Sequence, residues 1–213
     1  MSHAASLHAH PPASRGRATA LSALLLGWFG VAAALSARET FVASPGAPPL
    51  PLLVAVAGPV LAFLIAYRLS PSVRECALTA DIRFVTAMQA WRFGGFAFLA
   101  LYAYGVLPPF FAWPAGLGDM AIAAAVPWML AGLGRRPGFA SSRTFVAWNV
   151  LGIVDLVVAV SVGAVVPLVF RDVAGTELMA AMARFPLALV PAFFVPGYLI
   201  LHIIARRQVG RAR

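Results

Sequence analysis

The sequence predicts an all-α, polytopic membrane helix bundle, and three observations carry that prediction. Hydrophobic residues make up 62% of the 213, charged residues only 11%, and mean hydropathy is +0.88; a soluble domain carries about 25% charge. The apolar residues gather into six runs, each close to the ~20 residues that cross ~30 Å of hydrocarbon. Short links separate the runs and carry turn residues, such as Ser44-Pro45-Gly46, Leu107-Pro108-Pro109 and Gly134-Arg135-Arg136-Pro137-Gly138. A single transmembrane domain over residues 18–213 follows, behind a disordered tail of residues 1–17.

The first run, Thr19–Ala37, has Arg15 and Arg17 ahead of it and a cleavage-like Ala34-Leu35-Ser36 near its end. It reads as a spanning helix, with a secretory h-region as the alternative. The tail holds His3, His8 and His10, but an alanine-rich segment without an acidic partner makes these incidental rather than metal-binding. The second run is Leu50–Leu69. Between it and the third, Pro71–Arg83 sets Val73, Cys76, Ala77, Ala80 and Phe84 near one face. That pattern fits either an interfacial helix or an extension of the third run, Phe84–Leu107.

The fourth run is expected at Ala115–Leu133, after a proline- and aromatic-rich stretch from Leu107 that suggests irregular backbone or a short re-entrant turn. Gly116 and Gly118 would open this helix and leave Asp119 in its first turn, where the helix dipole favours an anion. The fifth run is Thr144–Val166. The sixth, Phe185–Ala205, carries Pro186, Pro191 and Pro196, and the last two free the carbonyls of Leu187 and Ala192 and kink the helix.

Net charge is +9, and all sixteen basic residues are arginine. Of the fifteen arginines other than Arg92, twelve fall on one side of the alternating topology, against Arg38, Arg171 and Arg184 on the other. Cytoplasmic loops collect positive charge, so both termini are expected in the cytoplasm. The arginines are dispersed among short loops rather than gathered into a basic face, which argues against a nucleic-acid partner. The expected partners are the lipid bilayer and either a second copy or another membrane protein.

Three charges break the pattern by lying within or at the edge of apolar runs: Arg92, Asp119 and Asp155. Each costs roughly 2.5–3.5 kcal/mol at mid-membrane on insertion scales. At ~1.5 Å per residue from the cytoplasmic side, Gln89 lies about 8 Å deep and Arg92 about 12 Å, with Asn149 about 8 Å and Asp155 about 16 Å. These four share a layer that His202, in the last turn of the sixth helix, can border. Arg92 is always charged and needs a carboxylate, carbonyls or a wet cavity. Asp155 matches it in depth, whereas Asp119 would need a dipping loop or a long reach. Asn149, Gly152, Asp155, Ala159 and Gly163 lie near one face whose small residues admit a close neighbour.

No cofactor is expected. His202 is the single deep histidine, which is too few for a haem held between membrane histidines. Cys76 is the only cysteine, and the absence of lysine removes Schiff-base chemistry. HExxH, GxSxG and GxxxxGK[ST] motifs are missing, as are paired acidic clusters for magnesium-diphosphate chemistry.

Four stretches, QAWRFGG from Gln89, LPPFFAWPAGLGD ending at Asp119, AWNVLGIVD ending at Asp155, and FPLALVPAFFVPGYLILH ending at His202, resemble an uncharacterised family of small bacterial multi-pass membrane proteins. The resemblance covers about the last three-fifths of the chain and implies a shared bundle in a bacterial inner (plasma) membrane, without a substrate. From the residues themselves, the leading expectation is a small solute or proton-coupled transport module, because one arginine between two carboxylates leaves one acid free to titrate. The alternatives are a non-enzymatic assembly subunit, whose polar residues lock helices together, and an inner-leaflet lipid or quinone enzyme using His202 and Asn149.

Overall fold

The computed structural model describes residues 12–44, 47–169 and 175–211, and among them every regular element is helical. Six stretches are long and apolar enough to cross a membrane: Ala18–Ala37, Leu50–Leu69, Ile82–Ala103, Pro109–Arg135, Arg143–Val169 and Val190–Gly210. The histidines of the tail and Arg171 lie outside the described residues. Helix α1, Pro12–Ala37, takes in Pro12–Arg17 as well as the expected first run.

Helix α2, Leu50–Leu69, has the predicted bounds, with Pro51 at its start, where a missing N–H costs no hydrogen bond. A separate helix, α3 (Pro71–Thr79), follows, so the segment is not a continuous extension of the third span. Ser70 accepts from Val73 N and caps α3, while Arg74 donates to the last carbonyls of α2, Tyr67 O at 3.3 Å and Arg68 O at 2.9 Å. At its other end Gln208 Nε2 donates to the carbonyls of Ala77 and Ala80, both at 2.8 Å. The apolar face is only partly engaged, since Ala77 is buried but Cys76 and Phe84 are exposed.

The third span is α4 (Ile82–Met88), a 3-10 helix over Gln89–Gly95, and α5 (Phe96–Ala103). The fourth departs from expectation. Helix α6 begins at Pro109 rather than Ala115 and runs unbroken through Pro114, Gly116 and Gly118 to Ala124. Prolines at the start need no partner for the missing N–H, and a membrane helix tolerates one further in. The irregular backbone is confined to Tyr104–Pro108 ahead of it, so the expected irregularity holds for Leu107 and Pro108 alone. Pro127 then interrupts the ladder, and α7 (Val126–Arg135) completes the span.

Helix α8 covers Arg143–Val169. A 3-10 helix, Thr176–Ala183, folds back across the end of the bundle and presses Met179 and Met182 against Phe98, Leu107 and Phe111. The sixth span starts late, at a π-helical turn over Val190–Phe194 that leads into α9 (Val195–Arg211). Pro196 has no N–H to offer Ala192 O, and just ahead of it the ladder widens to a π turn in which Val195 N donates to Val190 O.

Spans three to six form the packed centre, with α2 against α9 and α1 at the margin. Two apolar cores lie at opposite ends of this centre. One joins Val85, Met129, Phe145, Trp148 and Val209 near the arginine-rich end; the other joins Phe98, Leu107, Phe111 and Met182. The buried charges sit between them.

Candidate functional site

Local geometry on the third span selects the residues that face inward. In a 3-10 helix side chains three apart eclipse one another, so Gln89, Arg92 and Gly95 fall in line and are the three buried residues of that segment. Thr86 and Phe98 extend the same line at either end and are also buried. Trp91 and Phe93 point outward, 72% and 54% exposed, where hydrocarbon suits them.

Arg92 is 1% exposed and uses its guanidinium on three helices. Nε donates to Asp119 Oδ1 on α6 at 2.7 Å, and Nη2 donates to Asp155 Oδ2 on α8. Nη1 lies 3.2 Å from Gly152 O and 3.2 Å from His202 Nε2 on α9. An arginine only donates, so Nε2 of His202 accepts and Nδ1 carries the proton. That proton points at Asn149 Oδ1, 3.0 Å away, and Asn149 Nδ2 in turn donates to Phe145 O at 2.9 Å. A continuous hydrogen-bonded line therefore runs from the carboxylates through Arg92 and His202 to Asn149, with the Trp148 ring packed edge-on against His202.

The expected Arg92–Asp155 contact is present. Asp119 corrects its expectation: it lies in the third turn of α6, not the first, because the helix starts earlier, and it reaches Arg92 without a dipping loop. His202 also lies deeper than a last-turn position, since α9 continues to Arg211. Gln89 sits one turn before Arg92 but turns its amide to Tyr198 O at 3.3 Å, leaving Oε1 buried without a partner. The role of the Tyr198 carbonyl had no signal in the sequence.

Three glycines make room for this cluster, each beside a different charged or polar side chain. A Cβ on Gly95 would stand 2.5 Å from Asp119 Cβ; one on Gly118 would collide with the Asp155 carboxylate, and one on Gly152 with the His202 ring. The close approach of α6 to the 3-10 segment, of α6 to α8 and of α8 to α9 thus depends on a missing side chain at each crossing. Gly152 was legible as a small residue on the Asn149–Asp155 face. Gly95 and Gly118 carried no such signal, since the side chains they make room for lie on other helices.

Exposure divides the charges. The Arg92 side chain is fully enclosed, whereas those of Asp119 and Asp155 keep 16% and 18% of their surface. Among the described residues no three His, Cys, Asp or Glu side chains are grouped to hold a metal ion.

The architecture and site define a multi-pass helical membrane protein with an arginine-centred polar cluster in its interior. The family described as Domain of unknown function (DUF8737) matches residues 49–209, and the chain belongs to it. That match takes in spans two to six and every residue of the cluster. No curated protein and no solved structure matches the chain.

Proposed function

We propose that the protein is a small proton-coupled transport module of a bacterial inner membrane, with both termini in the cytoplasm and Asp119 and Asp155 as its proton-binding pair. The observation that carries this reading is charge imbalance: one enclosed guanidinium is shared by two carboxylates on different helices, each with an edge still open. A register lock needs only matched charges. A second acid beside a single arginine leaves one negative charge in an apolar setting, where a proton or a co-transported cation neutralises it. The acids lie on α6 and α8, so a change in which acid is neutralised alters the tie between those helices and supplies the link from proton to movement.

The assembly-subunit reading has one observation in its favour. Around Gly27 and Gly30 the face of α1 meets nothing within 4 Å, which leaves space for another helix. The enzyme reading finds no comparable support, since His202 and Asn149 are spent on each other and on Arg92.

The test is proton uptake into proteoliposomes. Asp155→Asn keeps the shape and can still accept from Arg92, so it should unfold within a few degrees of wild type yet lose pH-gradient-driven uptake. An assembly subunit would instead show a loosened variant and no uptake to lose. Well-folded wild type that takes up no protons across several gradients would sink the proton-coupled reading.

A further inference from the structure

At the end of the bundle opposite the arginine-rich one, a cavity of about 550 Å³ opens between α2, α8 and the Thr176–Ala183 helix. None of the Arg92 cluster lines it. Its α8 wall extends from Ala159 to Leu168, about 14 Å of helix, so it reaches from the helix end toward mid-span. Small residues on that wall, Ala159, Gly163 and Ala164, create the space, and Leu52, Leu53 and Val56 of α2 face it.

Among the described residues, charge enters the lining at Glu177 and Arg184 alone. Both are exposed, which places them on the open rim. The Arg184 ion pair with Glu39 spans 3.7 Å and is long for a charge-assisted hydrogen bond, so its guanidinium retains donors.

An apolar void of this size left empty forfeits dispersion contacts along its walls, and water would find few polar partners in it. The volume lies within the range of small-molecule sites. We propose that the cavity binds one acyl chain of a zwitterionic phospholipid, with the phosphate at Arg184 and the head-group ammonium toward Glu177. A bilayer phospholipid is the amphiphile present at highest concentration beside these helices. Its chain matches the apolar wall, and its head matches a rim whose described residues carry one charge of each sign.

Photo-cross-linking tests this on the full chain, reconstituted in phosphatidylethanolamine–phosphatidylglycerol vesicles containing a trace of phosphatidylethanolamine with a mid-chain diazirine. Label is expected on α8 between Ala159 and Leu168 and on Met179, above the level on Leu24 and Leu26 of α1, which are 67% and 71% exposed and report bulk lipid contact. Ala164→Phe and Leu53→Trp fill the cavity from opposite walls. Each should lower cavity labelling several-fold and leave α1 labelling unchanged, so either suffices if the other misfolds. Cavity labelling no higher than that of α1, or unchanged in the filled variants, would overturn the proposal. So would displacement of the probe by an equimolar polyprenyl phosphate.

Discussion

Arg92 holds the interior together by charge, and its removal should expose that dependence. Arg92→Leu leaves two carboxylates facing each other without a cation and should cost about 3–5 kcal/mol, as uncompensated buried charges do. Adding Asp119→Asn and Asp155→Asn to that variant should restore much of the loss, because a neutral cluster avoids the desolvation that an unpaired charge suffers. Thermal unfolding of the single and triple variants in detergent checks this, and purely additive losses would contradict the contacts. The residues of this cluster were legible because charge in an apolar run is conspicuous. Their pairing was only half legible. Depth along the chain matched Arg92 to Asp155, but the second carboxylate depended on where α6 begins, and a Pro-Pro start with a further proline at 114 reads as broken helix until the fold shows it continuous. The depth of His202 was less legible for a related reason: the apolar run stops at Ala205, whereas α9 carries Arg206 and Arg207 onward.

At the scale of elements, the third span depends on its 3-10 segment. Seven residues is long for such a helix, and it persists here because α6 lies flush against it at Gly95 and Gly116. The two neighbouring glycines separate packing from propensity. Gly95→Ala drives a Cβ into Asp119 and should destabilise by about 1–3 kcal/mol through overpacking. Gly94→Ala meets open space and should be neutral or stabilise by up to about 1 kcal/mol. Equal unfolding temperatures for the two variants would mean that α6 does not approach this closely. Helix count and order were readable from the runs because length and hydropathy alone specify a span. The helix type was not, since nothing local in QAWRFGG distinguishes a 3-10 from an α turn and only the approach of α6 selects it. The same holds for the Thr176–Ala183 helix, whose place depends on Met179 and Met182 finding Phe111 and Leu107.

For the whole molecule, the distribution of arginine should decide how the bundle sits. Six spans bring Arg68, Arg74, Arg83, Arg135, Arg136 and Arg143 to one end with α9's Arg206 and Arg207, while Arg38 and Arg184 belong to the other. The insertion machinery retains positively charged loops in the cytoplasm, and the bias here is repeated at every loop on that end rather than resting on a single one. One reversed loop would therefore not invert the protein. A fluorescent protein fused after Arg213 should mature and fluoresce, and alkaline phosphatase at the same position should remain inactive because its disulfides cannot form in the cytoplasm. Active phosphatase at the C-terminus would turn the bundle over. The lipid-chain cavity would then open at the cytoplasmic face, and the depths that set Gln89, Arg92 and Asn149 nearer the cytoplasm would be reversed with it.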